Sequence, residues 1–62
     1  MEDIVNKMLE HINYKIKYAV DNFEGFNEIH NIRLSEITGM VDMLSIVTGK
    51  SYSITLSGLE EK

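Results

Sequence analysis

Asn22-Phe23-Glu24-Gly25-Phe26-Asn27 is the stretch on which the fold turns. Upstream of it, Val5, Leu9, Ile12, Ile16, Ala19 and Phe23 alternate steps of four and three, the spacing of one helix face. Downstream the same rhythm continues through Phe26, His30, Arg33, Ile37, Met40, Leu44 and Val47 without loss of phase. An unbroken helix would be a rod of about 45 residues, roughly 70 Å long, able to supercoil with copies of itself. A break at Gly25 instead makes a helical hairpin. Gly25 lies between two asparagines and suits the left-handed residue after a last helical turn. Asn27 suits the N-cap of a second helix, its side-chain oxygen accepting a free backbone N–H. A single rod would also carry the polar pair His30 and Arg33 at successive seam positions. The hairpin is the preferred reading, with helices at about 2–23 and 27–48. Glu2 and Asp3 suit the positive end of the first helix, and Gly49 with Lys50 the end of the second.

The second helix has more apolar surface than one partner covers. Its apolar residues, from Phe26 and Leu34 round to Met43 and Ile32, span an arc of roughly 200° on a helical wheel, against about 100° for a helix in a simple hairpin. Chains below about 70–80 residues rarely draw enough stability from one core. The expected fold class is therefore all-α: a helical hairpin over residues 1–50 assembling into a homo-oligomeric bundle.

After Gly49 the pattern changes. Ser51-Tyr52-Ser53-Ile54-Thr55-Leu56 alternates polar and apolar, a strand signal. With no second strand evident, residues 51–62 read as a short extended C-terminal arm. Such an arm pairs with its symmetry mate or lays Tyr52, Ile54 and Leu56 on a neighbouring subunit. Ser57-Gly58-Leu59-Glu60 fits a capping box, but it stands too near the end of the sequence for a helix to follow.

Composition excludes several function classes. The 62 residues contain no cysteine, which removes disulfides, thiolate zinc sites and thiol nucleophiles. Six cations against ten anions, a net charge of −4, argue against a sequence-independent binder of duplex nucleic acid. No apolar run approaches the ~20 residues of a membrane span, and Met1-Glu2-Asp3 is not the start of a signal peptide. A cytoplasmic chain is expected. The two histidines show no ligand spacing, so neither a metal nor a cofactor is expected.

Catalysis has little support. Thr48-Gly49-Lys50-Ser51 looks like the end of a phosphate-binding loop, but Leu44 stands where its first glycine is required, and the glycine here ends a helix. No serine or carboxylate is visibly paired with a histidine. The residues that suggest binding are different ones. Lys7, His11, Tyr14, Lys15 and Tyr18 form a stripe flanking the apolar face of the first helix. Periodicity alone favours a solvated flank with tyrosines at a subunit boundary; the alternative is bases stacked on tyrosine with lysine on phosphate. His30 and Arg33 lie inside the apolar arc of the second helix, at about +20° and −40° from Ile37. A buried guanidinium requires an anion. Glu36 is one candidate, an anionic ligand in a pocket shared by symmetry-related copies the other.

The segment Ile32-Arg33-Leu34-Ser35-Glu36-Ile37-Thr38-Gly39-Met40-Val41 resembles the second hairpin helix of phage anti-CBASS proteins, which sequester cyclic oligonucleotide messengers. A related helical hairpin occurs in phage Thoeris anti-defence sponges. The shared features are Arg33, Thr38-Gly39, Met40 and an apolar helix that ends soon afterwards. The resemblance implies a non-catalytic helical homo-oligomer, a hexamer being one such form, acting in the cytoplasm of an infected bacterial host cell. By the resemblance, Arg33 and Thr38 would line a symmetric pocket for a cyclic trinucleotide; the helix-face reading adds His30 to that cavity and Tyr14, Lys15 and Tyr18 as further candidate ligand contacts. Longer members carry an N-terminal segment with a tyrosine and a lysine for cyclic dinucleotides, positions that do not map onto this sequence, so a cyclic trinucleotide is favoured over a dinucleotide. The alternative is a small helical interaction protein that inhibits a host protein through the acidic residues Asp3, Glu10, Asp21, Glu28 and Asp42.

Overall fold

The structure, a computed structural model, describes residues 2–62. Two helices, α1 (Glu2–Asp21) and α2 (Glu28–Thr48), lie side by side, followed by strands β1 (Tyr52–Thr55) and β2 (Gly58–Glu61). The molecule is elongated, 36 × 18 × 16 Å.

The helices start and stop largely for the local reasons read above. Asn27 caps α2: its extended backbone carries an Oδ1 that accepts the His30 N–H at 2.9 Å. Gly49 closes it in the left-handed conformation, φ 71°, its N–H donating to the Ser45 carbonyl. The end of α1 differs. The helix stops at Asp21, and Asn22 finishes the turn by donating both its backbone N–H and its Nδ2 to the Tyr18 carbonyl, at 3.0 and 2.9 Å. Phe23 therefore lies in the connection. Gly25 has a positive φ of 104°, but within the connection and not directly after the helix.

The seam between the helices holds every buried hydrophobic side chain of the described residues: Ile12, Ile16 and Ala19 from α1 against Ile37, Val41 and Leu44 from α2. Ile12 and Leu44 are the most enclosed, at 2% and 0% exposure. The excess apolar arc of α2 is not covered within one chain: Ile29, Ile32, Met43 and Ile46 stay exposed. Among the described residues no helix is long and apolar enough to cross a membrane.

The C-terminal expectation requires correction. The chain is not all-α, and residues 51–62 are not a lone arm. Strands β1 and β2 form an antiparallel ribbon with Ile54 opposite Leu59 and Thr55 opposite Gly58. Turn chemistry makes this possible. Neither Leu56 nor Ser57 has a positive φ, and the strain of reversing the chain falls on Gly58, at φ 128°. Thr55 Oγ1 donates to the Gly58 carbonyl at 2.7 Å and accepts the Ser57 N–H at 3.2 Å. Strand β2 escaped the pattern reading because only Leu59 in it is a large apolar residue, too few for alternation to show.

The ribbon is clasped to α1. Asn13 Oδ1 accepts the Leu59 N–H at 2.9 Å, and Tyr52 and Leu59 pack on the core. A Cβ at Gly58 would stand 2.7 Å from that same Oδ1, so the site excludes a side chain by contact as well as by backbone conformation. Gly58→Ala is expected to cost about 1–3 kcal/mol through backbone strain alone, plus the clash. Asn13→Ala is expected to cost about 1 kcal/mol. Adding Asn13→Ala to Gly58→Ala relieves the clash, so the double variant loses less than the sum of the two. Urea unfolding followed by circular dichroism checks all three.

Candidate ligand-binding face

Residues four apart on a helix are neighbours on its surface, and this brings Tyr14 and Tyr18 together on the outer side of α1. Their rings lie 6.3 Å apart and 23° from parallel, and both are exposed. Arg33 joins them from α2, its guanidinium carbon 5.3 Å from the Tyr18 ring centroid. Two tyrosine rings and a guanidinium thus form one continuous rail across both helices.

Arg33 is half-buried, and its partner is not the one considered from sequence. Among the described residues the one ion pair is Lys50–Glu61, at 3.4 Å on the surface; Glu36 is exposed and makes none. Arg33 Nη1 instead donates to the Asn22 carbonyl at 3.2 Å, just beyond the end of α1. That end carries unsatisfied carbonyls and the negative pole of the helix dipole, and α1 has no basic residue in its last turn. The second helix therefore supplies the cation that the first lacks. A guanidinium has five N–H donors, so one bond to a carbonyl leaves most of them available to an anion.

The other candidate residues are dispersed. Lys15 is half-buried at helical spacing beside the rail and forms no ion pair. Thr38 is exposed, its hydroxyl donating to the Leu34 carbonyl at 2.8 Å. Five residues past Arg33 it points about 140° away around α2, so within one chain the two do not face a common pocket. His30 belongs to a different feature. Its ring meets Phe23 and Phe26 edge-on, at centroid distances of 4.8 and 5.5 Å, and its Nδ1 is buried with no hydrogen-bond partner.

That aromatic cluster forms one end of an apolar cleft of about 510 Å³. Ile16, Ala19 and Val20 of α1, Leu34 and Ile37 of α2, and Ile54 with Leu56 line the rest of it. No aspartate, glutamate, lysine or arginine lines it, and neither Tyr14, Tyr18 nor Arg33 is among its lining residues, so this cleft and the cationic rail are separate places. Sequence reading found Tyr14, Tyr18 and Arg33 but not Asn22, whose carbonyl anchors the guanidinium. Nor did it find the Phe23–Phe26–His30 cluster, which depends on the path of the loop.

No protein-family model, curated protein sequence or solved structure matches the chain.

Arg33→Ala is expected to cost about 1 kcal/mol of stability, from the lost Asn22 contact and the lost contact with Tyr18. Glu36→Ala should be neutral. A double-mutant cycle with Tyr18→Leu is expected to show coupling between positions 18 and 33, read from thermal unfolding.

Proposed function

We propose that the protein binds a cyclic oligonucleotide messenger and sequesters it without cleaving it, as phage anti-defence sponges do. The observation that carries this reading is the rail of Tyr14, Tyr18 and Arg33: two aromatic faces for bases and, beside them, a guanidinium with no carboxylate partner. Base–aromatic stacking contributes about 1–3 kcal/mol per base, and arginine meets phosphate with paired N–H donors. The resemblance of the Arg33 to Met40 segment to the second helix of anti-CBASS proteins points the same way.

The reading needs a homo-oligomer, because Thr38 faces away from Arg33 in one chain and reaches a shared pocket only from a neighbouring subunit. Symmetry then repeats the cation around the axis, matching a cyclic trinucleotide that repeats its phosphates. Lys15 supplies a further positive charge next to the rail. The compartment is the cytoplasm of an infected bacterial cell, where such messengers are made.

A second reading keeps one observation in its favour. Asp3, Glu10, Asp21, Glu28 and Asp42 are all exposed and free of ion pairs among the described residues, a surface suited to a basic protein partner.

Calorimetric titration with cyclic trinucleotides and dinucleotides separates the readings. Hydrogen bonds to charged groups contribute about 1.5–3 kcal/mol, so Arg33→Ala should weaken trinucleotide binding by about tenfold or more. Tyr18→Ala should weaken it comparably. Absence of binding by the unaltered protein, or unchanged affinity in Arg33→Ala, would sink the proposal.

A further inference from the structure

The fold treats the two edges of its terminal ribbon differently. In an antiparallel ladder, residues that exchange hydrogen bonds alternate with residues that do not. Lys62 N–H donates to the Ser51 carbonyl at 2.9 Å, and the register runs from Tyr52 opposite Glu61 to Thr55 opposite Gly58. Ser51, Ser53 and Thr55 therefore turn their backbone groups toward β2, while Tyr52 and Ile54 turn theirs away. On β2 the same alternation turns the Leu59 N–H outward, where Asn13 of α1 receives it. On the β2 edge α1 thus satisfies the Leu59 N–H. Among the described residues the edge of β1 has no strand beside it.

That open edge lacks the usual protections. Between Ser51 and Ser57 there is no lysine, no proline and no charge of either sign. It also borders the apolar cleft, whose rims are left bare: Leu56 is 83% exposed on the ribbon side and Phe26 88% on the far side.

We propose that β1 pairs with β1 of a second copy, antiparallel about a two-fold axis through Ser53, so that the ribbons merge into one four-stranded sheet whose inner face covers the cleft of each chain. The centred register sets Tyr52 opposite the partner's Ile54 and Ile54 opposite the partner's Tyr52. Both outward-facing residues then exchange their N–H and C=O groups, and no backbone group of the strand stays unpaired. A small apolar ligand would fill the cleft but leave those groups unbonded. Charge also selects a second copy. Chains of net charge −4 repel over most of their surfaces, and this uncharged stretch lets two of them meet without like charges in contact. A strongly acidic or basic partner finds no counter-charge here. The arrangement closes on itself, because the outer edges of the merged sheet are the two β2 edges, each already held by Asn13.

This interface is independent of the ligand reading and is tested without any nucleotide. In the proposed register the two Ser53 residues face each other as a non-hydrogen-bonded pair, with Cα atoms about 4.5 Å apart, within the range a disulfide spans. The sequence has no cysteine, so Ser53→Cys introduces a single thiol. Mild oxidation of the full chain should convert it to a covalent dimer on a non-reducing gel. Ser57→Cys serves as the control, since the same register separates those positions by about 26 Å, and it should stay largely uncrosslinked. Ile54→Pro removes an outward N–H while sparing the bonds to β2. It should abolish the dimeric contact in light scattering with the helical spectrum retained. Three results would overturn the proposal: a monomeric unaltered protein, Ser53→Cys crosslinking no better than Ser57→Cys, or folded Ile54→Pro with unchanged mass. Should Ile54→Pro fail to fold, the cysteine pair decides alone. Crosslinking through Ser53 in a protein that binds no cyclic nucleotide would leave this interface standing and remove only the proposed function.

Discussion

Ile12 and Leu44, enclosed almost completely at the centre of the helix–helix seam, hold the rest of the molecule in place. Around them, among the described residues, four further hydrophobic side chains are buried. A chain of this size buries a smaller fraction of its surface than a larger domain does, so the seam is extended wherever the fold permits. The terminal ribbon does this by laying Tyr52 and Leu59 against it. The hydrogen bond from Leu59 to Asn13 fixes the ribbon's position along α1, and the absence of a side chain at Gly58 lets it come that close. Ribbon, clasp and turn thus depend on a seam that they in turn complete.

Arg33 links stability to the candidate binding face. It closes the carbonyl end of α1 from the neighbouring helix, and the same contact sets its guanidinium beside Tyr18. An arginine free in solvent would lose side-chain entropy on meeting a phosphate. One already held between a carbonyl and an aromatic ring loses less, while most of its donors remain open. The cation that closes the end of α1 is thus the same residue that the proposed function assigns to the ligand's phosphate.

Much of the surface left over is apolar, and it is organised. Ile29, Ile32, Met43 and Ile46 lie along the outside of α2, Phe26 and Leu56 flank the cleft, and β1 presents an unpaired edge. Exposed apolar patches of this kind mark interaction surfaces. The β1 edge adjoins the cleft, and the apolar outer side of α2 is a separate surface.

How much of this was legible in the sequence follows from the range of the interactions involved. Ile12, Ile16, Ala19, Ile37 and Leu44 of the seam and both caps of α2 depend on residues within a few places of one another, so four–three spacing, an asparagine before the helix and a glycine after it signalled them. Val41, buried in the seam, fell outside that series, and Phe23, Phe26 and Val47 within it are exposed. Tyr14 and Tyr18 come together for the same reason. The partners of Arg33 and Asn13, and the parting of His30 from Arg33 into separate sites, were not legible. Arg33 reaches a carbonyl eleven positions away and Asn13 an amide forty-six positions away. Nothing local marks such pairs. The second strand was not legible either: Ser57-Gly58-Leu59-Glu60 matched a capping box and not a turn, Leu59 alone gave no alternation, and the strand takes shape through pairing with β1 and docking on α1. Local spacing determined the helices and one face of each. Only the packing of distant segments decided what Arg33 touches, where the cleft opens, and which strand edge is left free.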